Sequence, residues 1–88
     1  MAHYLARVRV MVNGLEHVER EVVQAVDYEA AEQKVDALLR GGWFTHDTFS
    51  WFDSDTNWYN FQGENEAARI ESIDGIPTED ALVLQKYI

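Results

Sequence analysis

Tyr4-Leu5-Ala6-Arg7-Val8-Arg9-Val10-Met11-Val12-Asn13-Gly14 is a strand running into a turn, and its reading decides the fold. Ala6, Val8, Val10 and Val12 fall on one side of an extended chain, with Arg7, Arg9 and Met11 on the other. That alternation is the pattern of a half-buried strand. Asn13-Gly14 is a turn signal, and Val18 to Val26 supplies the returning strand. Two registers compete. A two-residue loop sets Val10 against His17 and Val8 against Glu19, which mixes apolar and polar residues on one face. A loop centred on Gly14 sets Val10 against Val18, Ala6 against Val22, Arg9 against Glu19 and Arg7 against Glu21. The second register keeps one face apolar and opposes unlike charges across the ladder, so it is the expected one.

Outward from the hairpin, Asp27 sits where a helix N-cap belongs, and Glu29 falls in the first turn. Tyr28, Ala31, Val35, Leu38 and Leu39 make an apolar stripe at helical spacing. Glu29, Glu32, Gln33, Asp36 and Arg40 form the wet side, with Asp36 and Arg40 an i,i+4 pair. Gly41-Gly42 ends the helix through a left-handed residue. Trp43 to Phe52 is aromatic and threonine-rich and suits a strand. Ser54 to Asn57 reads as a turn, and Trp58 to Gln62 as a short return strand. Glu64 to Ile73 fits either a short helix or a strand. Gly75-Ile76-Pro77 breaks the chain, and Ala81 to Tyr87 reads as a closing strand. The expected fold is α+β: one domain over residues 1–88, with an antiparallel sheet of four to five strands and one amphipathic helix packed on one face, ββαβββ in order.

Composition bounds the function. Sixteen acids against seven bases give −9. The charge is uneven: residues 41–88 hold nine acids and only Arg69 and Lys86 as bases. Such a surface opposes phosphate, so direct nucleic-acid binding is not expected. A negative field instead speeds encounter with a basic partner. There is no cysteine, which excludes disulfides and thiolate metal sites and fits a reducing compartment. Met1-Ala2-His3-Tyr4 lacks the basic stretch and apolar run of a signal peptide, and no apolar run approaches the ~20 residues of a bilayer span. A cytoplasmic protein without membrane contact is expected.

The chemistry-bearing motifs are weak. Asp53, Asp55, Asn57 and Glu64 fall at positions 1, 3, 5 and 12 of an EF-hand loop, but Trp58 occupies the position that needs glycine, and neither flank is helical. The segment is therefore expected to be a turn and hairpin, with no metal. Asp53-Ser54-Asp55 lacks the α/β scaffold and basic groups of phosphoryl-transfer enzymes. His3, His17 and His46 are scattered, the first two expected on the surface, and His46 beside Asp47 is a lone pair. No serine sits in a nucleophile motif and no glycine-rich phosphate loop occurs. No enzyme and no cofactor are expected.

What remains is an aromatic cluster. Trp43, Phe44, Phe49, Trp51, Phe52, Trp58, Tyr59 and Phe61 lie within residues 43–61, interleaved with Asp47, Asp53 and Asp55 and with no base among them. One face of a hairpin enters the core, so the rings divide between core and surface. Asp47, Trp51, Asp53, Asp55, Trp58, Tyr59, Glu64 and Glu66 are the candidate partner-binding residues, since Trp and Tyr beside acids suit contact with arginine-rich surfaces.

The passage Val23-Gln24-Ala25-Val26-Asp27-Tyr28-Glu29-Ala30-Ala31-Glu32 resembles a strand-to-helix junction of small phage-encoded accessory proteins, among them anti-CRISPR proteins similar in size, acidity and hairpin-then-helix start. The resemblance covers residues 4–40. It implies a non-enzymatic inhibitor that occupies a nucleic-acid-binding surface of a host defence complex, in the host cytoplasm. The reading is thus a small acidic binding protein, an inhibitor or nucleic-acid mimic directed at a basic protein surface. A module that self-associates into a homodimer through exposed aromatics, and a small-ligand binder, are the alternatives.

Overall fold

The computed structural model describes residues 1–42, 48–62 and 66–86. Strands β1 (Ala2–Val12) and β2 (Leu15–Ala25) precede helix α1 (Tyr28–Arg40). Strands β3 (Phe49–Asp53), β4 (Trp58–Phe61) and β5 (Glu66–Ile76) follow, and then the short helix α2 (Thr78–Leu84). The strands form one antiparallel sheet in the order β2-β1-β5-β4-β3. The fold is α+β, as the sequence implies, with five strands.

The first hairpin corrects the expected register. Val12 pairs directly with Leu15, so Asn13 and Gly14 alone make the turn, and Val10 faces His17 while Val8 faces Glu19. Asn13 and Gly14 have φ of 53° and 81°, the left-handed pair of a type I′ turn, whose twist matches that of the strands. Turn chemistry overrides the apolar matching, and Arg7 lies opposite Arg20 rather than Glu21. Val8 and Val10 lose nothing by it. On their other side they meet Ile70 and Ala68 of β5, and both are buried.

The main core lies between this face and α1. Asp27 accepts a hydrogen bond from the Ala30 N–H at 2.8 Å and caps the helix. Ala31, Val35 and Leu39 are buried against Ala6, Val8, Val10, Val23 and Ala25, while Tyr28 and Leu38 flank the seam and stay partly wet. Gly42, at φ 77°, supplies the left-handed residue that ends the helix. Asp36 and Arg40 pair at 3.0 Å.

The opposite face carries a second, smaller cluster, in which Ala81 and Leu84 of α2 cover Leu5, Val22 and Ile76. Here the expected closing strand is a helix. Pro77 precedes it with extended backbone, Glu79 and Asp80 fill its first turn, and Ala81 is its buried residue. Acids at a helix N-terminus answer the helix dipole, and a Pro-Thr-Glu-Asp start is a helix signal rather than a strand signal. Because both faces bury something, Val22 and Val23 can each be buried on opposite sides of β2. The ambiguous 64–73 segment is strand from Glu66 onward, with an irregularity at Glu71, which stands between Ile70 and Ser72 without a β1 partner. No helix among the described residues is long and apolar enough to cross a membrane.

Candidate functional site

The β3–β4 hairpin positions the aromatic cluster. Its turn is closed by the Asn57 N–H donating to the Asp53 carbonyl at 2.7 Å, and the Asp55 N–H donates to Asp53 Oδ1 at 3.0 Å. Asn57 adopts φ 64°, which Asn tolerates better than most residues. The Asp53 carboxylate is thus part of the turn itself. The Asp53 to Asn57 part of the EF-hand-like spacing forms a hairpin turn, and its Glu64 lies outside the described residues. No group of three His, Asp or Glu side chains that could hold a metal occurs among the described residues.

Strand register sorts the rings. Phe52 faces Tyr59, Tyr59 faces Ala68, and Ala68 faces Val10, so this row points into the main core. Tyr59, placed among the candidate binding residues from sequence, is a correction. It is buried, its ring lies tilted with its centre 4.7 Å from that of Phe52, and it donates its hydroxyl to Asp36 Oδ1 at 2.5 Å. Burial, and then the bond to Asp36, push the phenol well above its usual range. Arg40 lies 4.8 Å over the Phe49 ring and 5.7 Å over Tyr59, closing the edge of this cluster.

The alternate row runs Asp53–Trp58–Arg69–Arg9–Val18, and the next runs Trp51–Asn60–Ala67–Met11–Glu16. These residues occupy the sheet face away from α1, beyond the patch that α2 covers. Trp51 is 55% exposed, and Trp58 is half-buried with Arg69 5.3 Å over its ring. Arg9 pairs with Glu71, and with Glu16 at 3.5 Å; Arg69 reaches Glu71 at 3.7 Å, and Arg7 reaches Asp74 at 3.0 Å. The hydrogen bond from Arg9, aided by its charge and that of Arg69, holds the Glu71 carboxyl below its ordinary range.

Space therefore redraws the charge map that the linear sequence suggests. The aromatic tract is free of bases along the chain only, since Arg69 and Arg40 cover its two faces. The open face carries Arg7, Arg9, Arg20 and Arg69 against Glu16, Asp53, Glu71 and Asp74, and is close to neutral. Among the described residues, the acids Glu19, Glu21, Glu29, Glu32, Glu79 and Asp80 lie off this face. Periodicity in β1 and β5 held the signal for this face, because Arg7 and Arg9 alternate with the core valines.

Of the candidate residues, the structure brings Trp51, Asp53 and Trp58 together on the open face, with Asp55 exposed in the adjoining turn. Glu66 pairs with Val12 at the far end of β5. Asp47 and Glu64 lie outside the described residues, as does His46. His3, expected on the surface, is buried, with Gln24 2.9 Å from its Nε2 and Thr78 3.4 Å from its Nδ1. It joins α2 to β1 and β2. His17 is exposed, 2.9 Å from Glu19. No protein-family model, curated protein or solved structure matches this chain.

Proposed function

We propose that this chain is a small, non-enzymatic, acidic binding protein that works in the cytoplasm by occupying a basic surface of a protein partner. The docking surface is the open sheet face around Trp51 and Trp58. The observation that carries the reading is the exposure of Trp51, 55%, on a rigid strand beside Trp58 and Arg69. Tryptophan and arginine dominate the energetics of protein interfaces, and a ring held by a sheet loses little freedom on docking. The chain's net charge of −9 draws in a basic partner and repels phosphate. The resemblance to phage accessory proteins extends the proposal to inhibition of a nucleic-acid-binding host complex.

Capture from a lysate of the cell that carries the chain, with graded salt elution, tests it. Support is a basic protein that binds less as salt rises and is lost in Trp51→Ala. A capture profile unchanged in both Trp51→Ala and Trp58→Ala overturns it. The near-neutral open face favours one second reading, pairing of two copies through that face. Sedimentation showing a dimer that persists at high salt and dissociates in Trp51→Ala would select that reading instead.

A further inference from the structure

β5 is eleven residues long, but β4 pairs only with its Ala67, Ala68 and Arg69. β1 follows β5 on the other side as far as Ile76. The edge of β5 from Ile70 to Ile76 therefore faces no strand among the described residues. The β3–β4 hairpin stops beside Ile70, α1 passes above, and a notch of about 310 Å³ remains between them. Tyr28 and Glu32 of α1, Phe52 and Tyr59 of the hairpin, and Glu71 and Ile73 of β5 line it.

Two independent features of the notch describe its occupant. A strand edge presents N–H and C=O groups at the spacing of another extended chain, and adding a strand satisfies them. Beside that edge stand three aromatic rings and the Glu32 carboxylate, while Arg9 and Arg69 engage Glu71, and Arg40, outside the lining, lies 5.9 Å over Phe52 and 5.7 Å over Tyr59. Tyr28 is 50% exposed, and Glu32 makes no ion pair among the described residues. The Tyr59 hydroxyl is committed to Asp36, which leaves its ring as the face toward the notch. The exposed Tyr28 ring next to the Glu32 carboxylate selects an organic cation.

We propose that the notch takes an extended segment of another protein as an added strand on β5. A lysine or arginine of that segment sits on Tyr28 against Glu32. A second copy of this chain is a poor occupant, because its outer strand β2 brings Glu16, Glu19 and Glu21 to a site already acidic. The proposal rests on the reading of the chain as a binder of basic partners, but on residues separate from the Trp51 face.

The test is an amide NMR titration of the full chain with a blocked peptide that alternates Arg with Val and Thr. A matched peptide with Glu in place of Arg is the control. The expected result is shifts and slowed hydrogen exchange centred on Ile70 to Ile76, absent with the Glu peptide. Glu32→Lys weakens binding roughly tenfold or more, since a like charge now opposes the peptide's. Trp51→Ala leaves the titration unchanged. Tyr28→Ala serves as a second variant, also weakening binding, and the spectra themselves report folding. Saturating peptide that leaves Ile70 to Ile76 unperturbed overturns the proposal, as does binding indifferent to Glu32→Lys. Shifts there that grow with protein concentration alone assign the edge to a second copy and overturn it too. Failure here with Trp51-dependent capture intact removes the notch alone. Peptide on β5 with capture indifferent to both tryptophans removes the open-face reading alone.

Discussion

Replacing Tyr59 by Phe removes one hydroxyl and leaves the ring. That hydroxyl donates to Asp36 Oδ1 at 2.5 Å from a side chain only 5% exposed. A hydrogen bond to a charged acceptor contributes ~1.5–3 kcal/mol. Asp36 is 39% exposed and keeps Arg40 at 3.0 Å, so water and the guanidinium replace part of what is lost. The expected cost falls to about 1–1.5 kcal/mol. For a domain of this size the melting temperature then drops by roughly 5–10 °C. Tyr59→Ala also empties the space between Phe49, Phe52 and α1, and by comparison with Phe→Ala costs ~3–5 kcal/mol. A pH signature accompanies the loss. The folded state keeps a phenol proton that the unfolded chain gives up near its ordinary value of 10.0, so this contribution is full below that pH and disappears as pH rises above it. Scanning calorimetry at neutral pH, with denaturant melts at pH 9 and 11, measures both effects. Tyr59→Phe should flatten the alkaline fall in stability. A Tyr59→Phe variant that melts within about 1 °C of the parent and keeps the same alkaline limb refutes the buried Tyr59–Asp36 bond.

Other perturbations report on separate parts of the structure. Gly14→Ala meets no atom within 4 Å but must hold φ 81°, so urea titration should show a loss of about 1–2 kcal/mol from backbone strain alone. Leu39→Ala, on the fully buried side of α1, should cost ~2–5 kcal/mol in the same assay. Glu71 titrates below its ordinary 4.5 in the folded state, so its contribution is present above that pH and lost on acidification. Glu71→Gln should therefore show a shallower decline in denaturation midpoint between pH 5 and 3 than the parent does.

The sequence made parts of this fold legible for identifiable reasons. Asp27, the Ala31–Val35–Leu39 stripe and Gly42 are local signals that agree with one another, and α1 forms where they place it. The alternation in β1 names the core face correctly. The hairpin register was not legible, because matching valines to valines assumes that one face alone is buried. The closing helix buries Val22 on the second face, and the Asn-Gly turn fixes the pairing regardless of that match. The same omission hid α2, whose Pro-Thr-Glu-Asp start is short and buries little beyond Ala81 and Leu84. For the site, Trp51 and Trp58 alternate with Phe52 and Tyr59 in sequence, so a split between faces was predictable. Which row faced outward was not, because that depends on pairing with β5. Arg69 stacking on Trp58 joins residues across that pairing, and the linear charge pattern cannot show it.

The central claim is that the open face around Trp51 meets a basic protein. The most direct measurement places a photo-crosslinking amino acid at position 51, and in a control at Glu29 on the opposite side of the sheet, within lysate of the cell that carries the chain. Position 51 should yield one dominant adduct to a protein of basic isoelectric point. The adduct should fade with added salt and be suppressed by unlabelled parent chain but not by Trp58→Ala. Adducts at position 29 with none at 51, or a sole adduct to a second copy of this chain, would contradict the account.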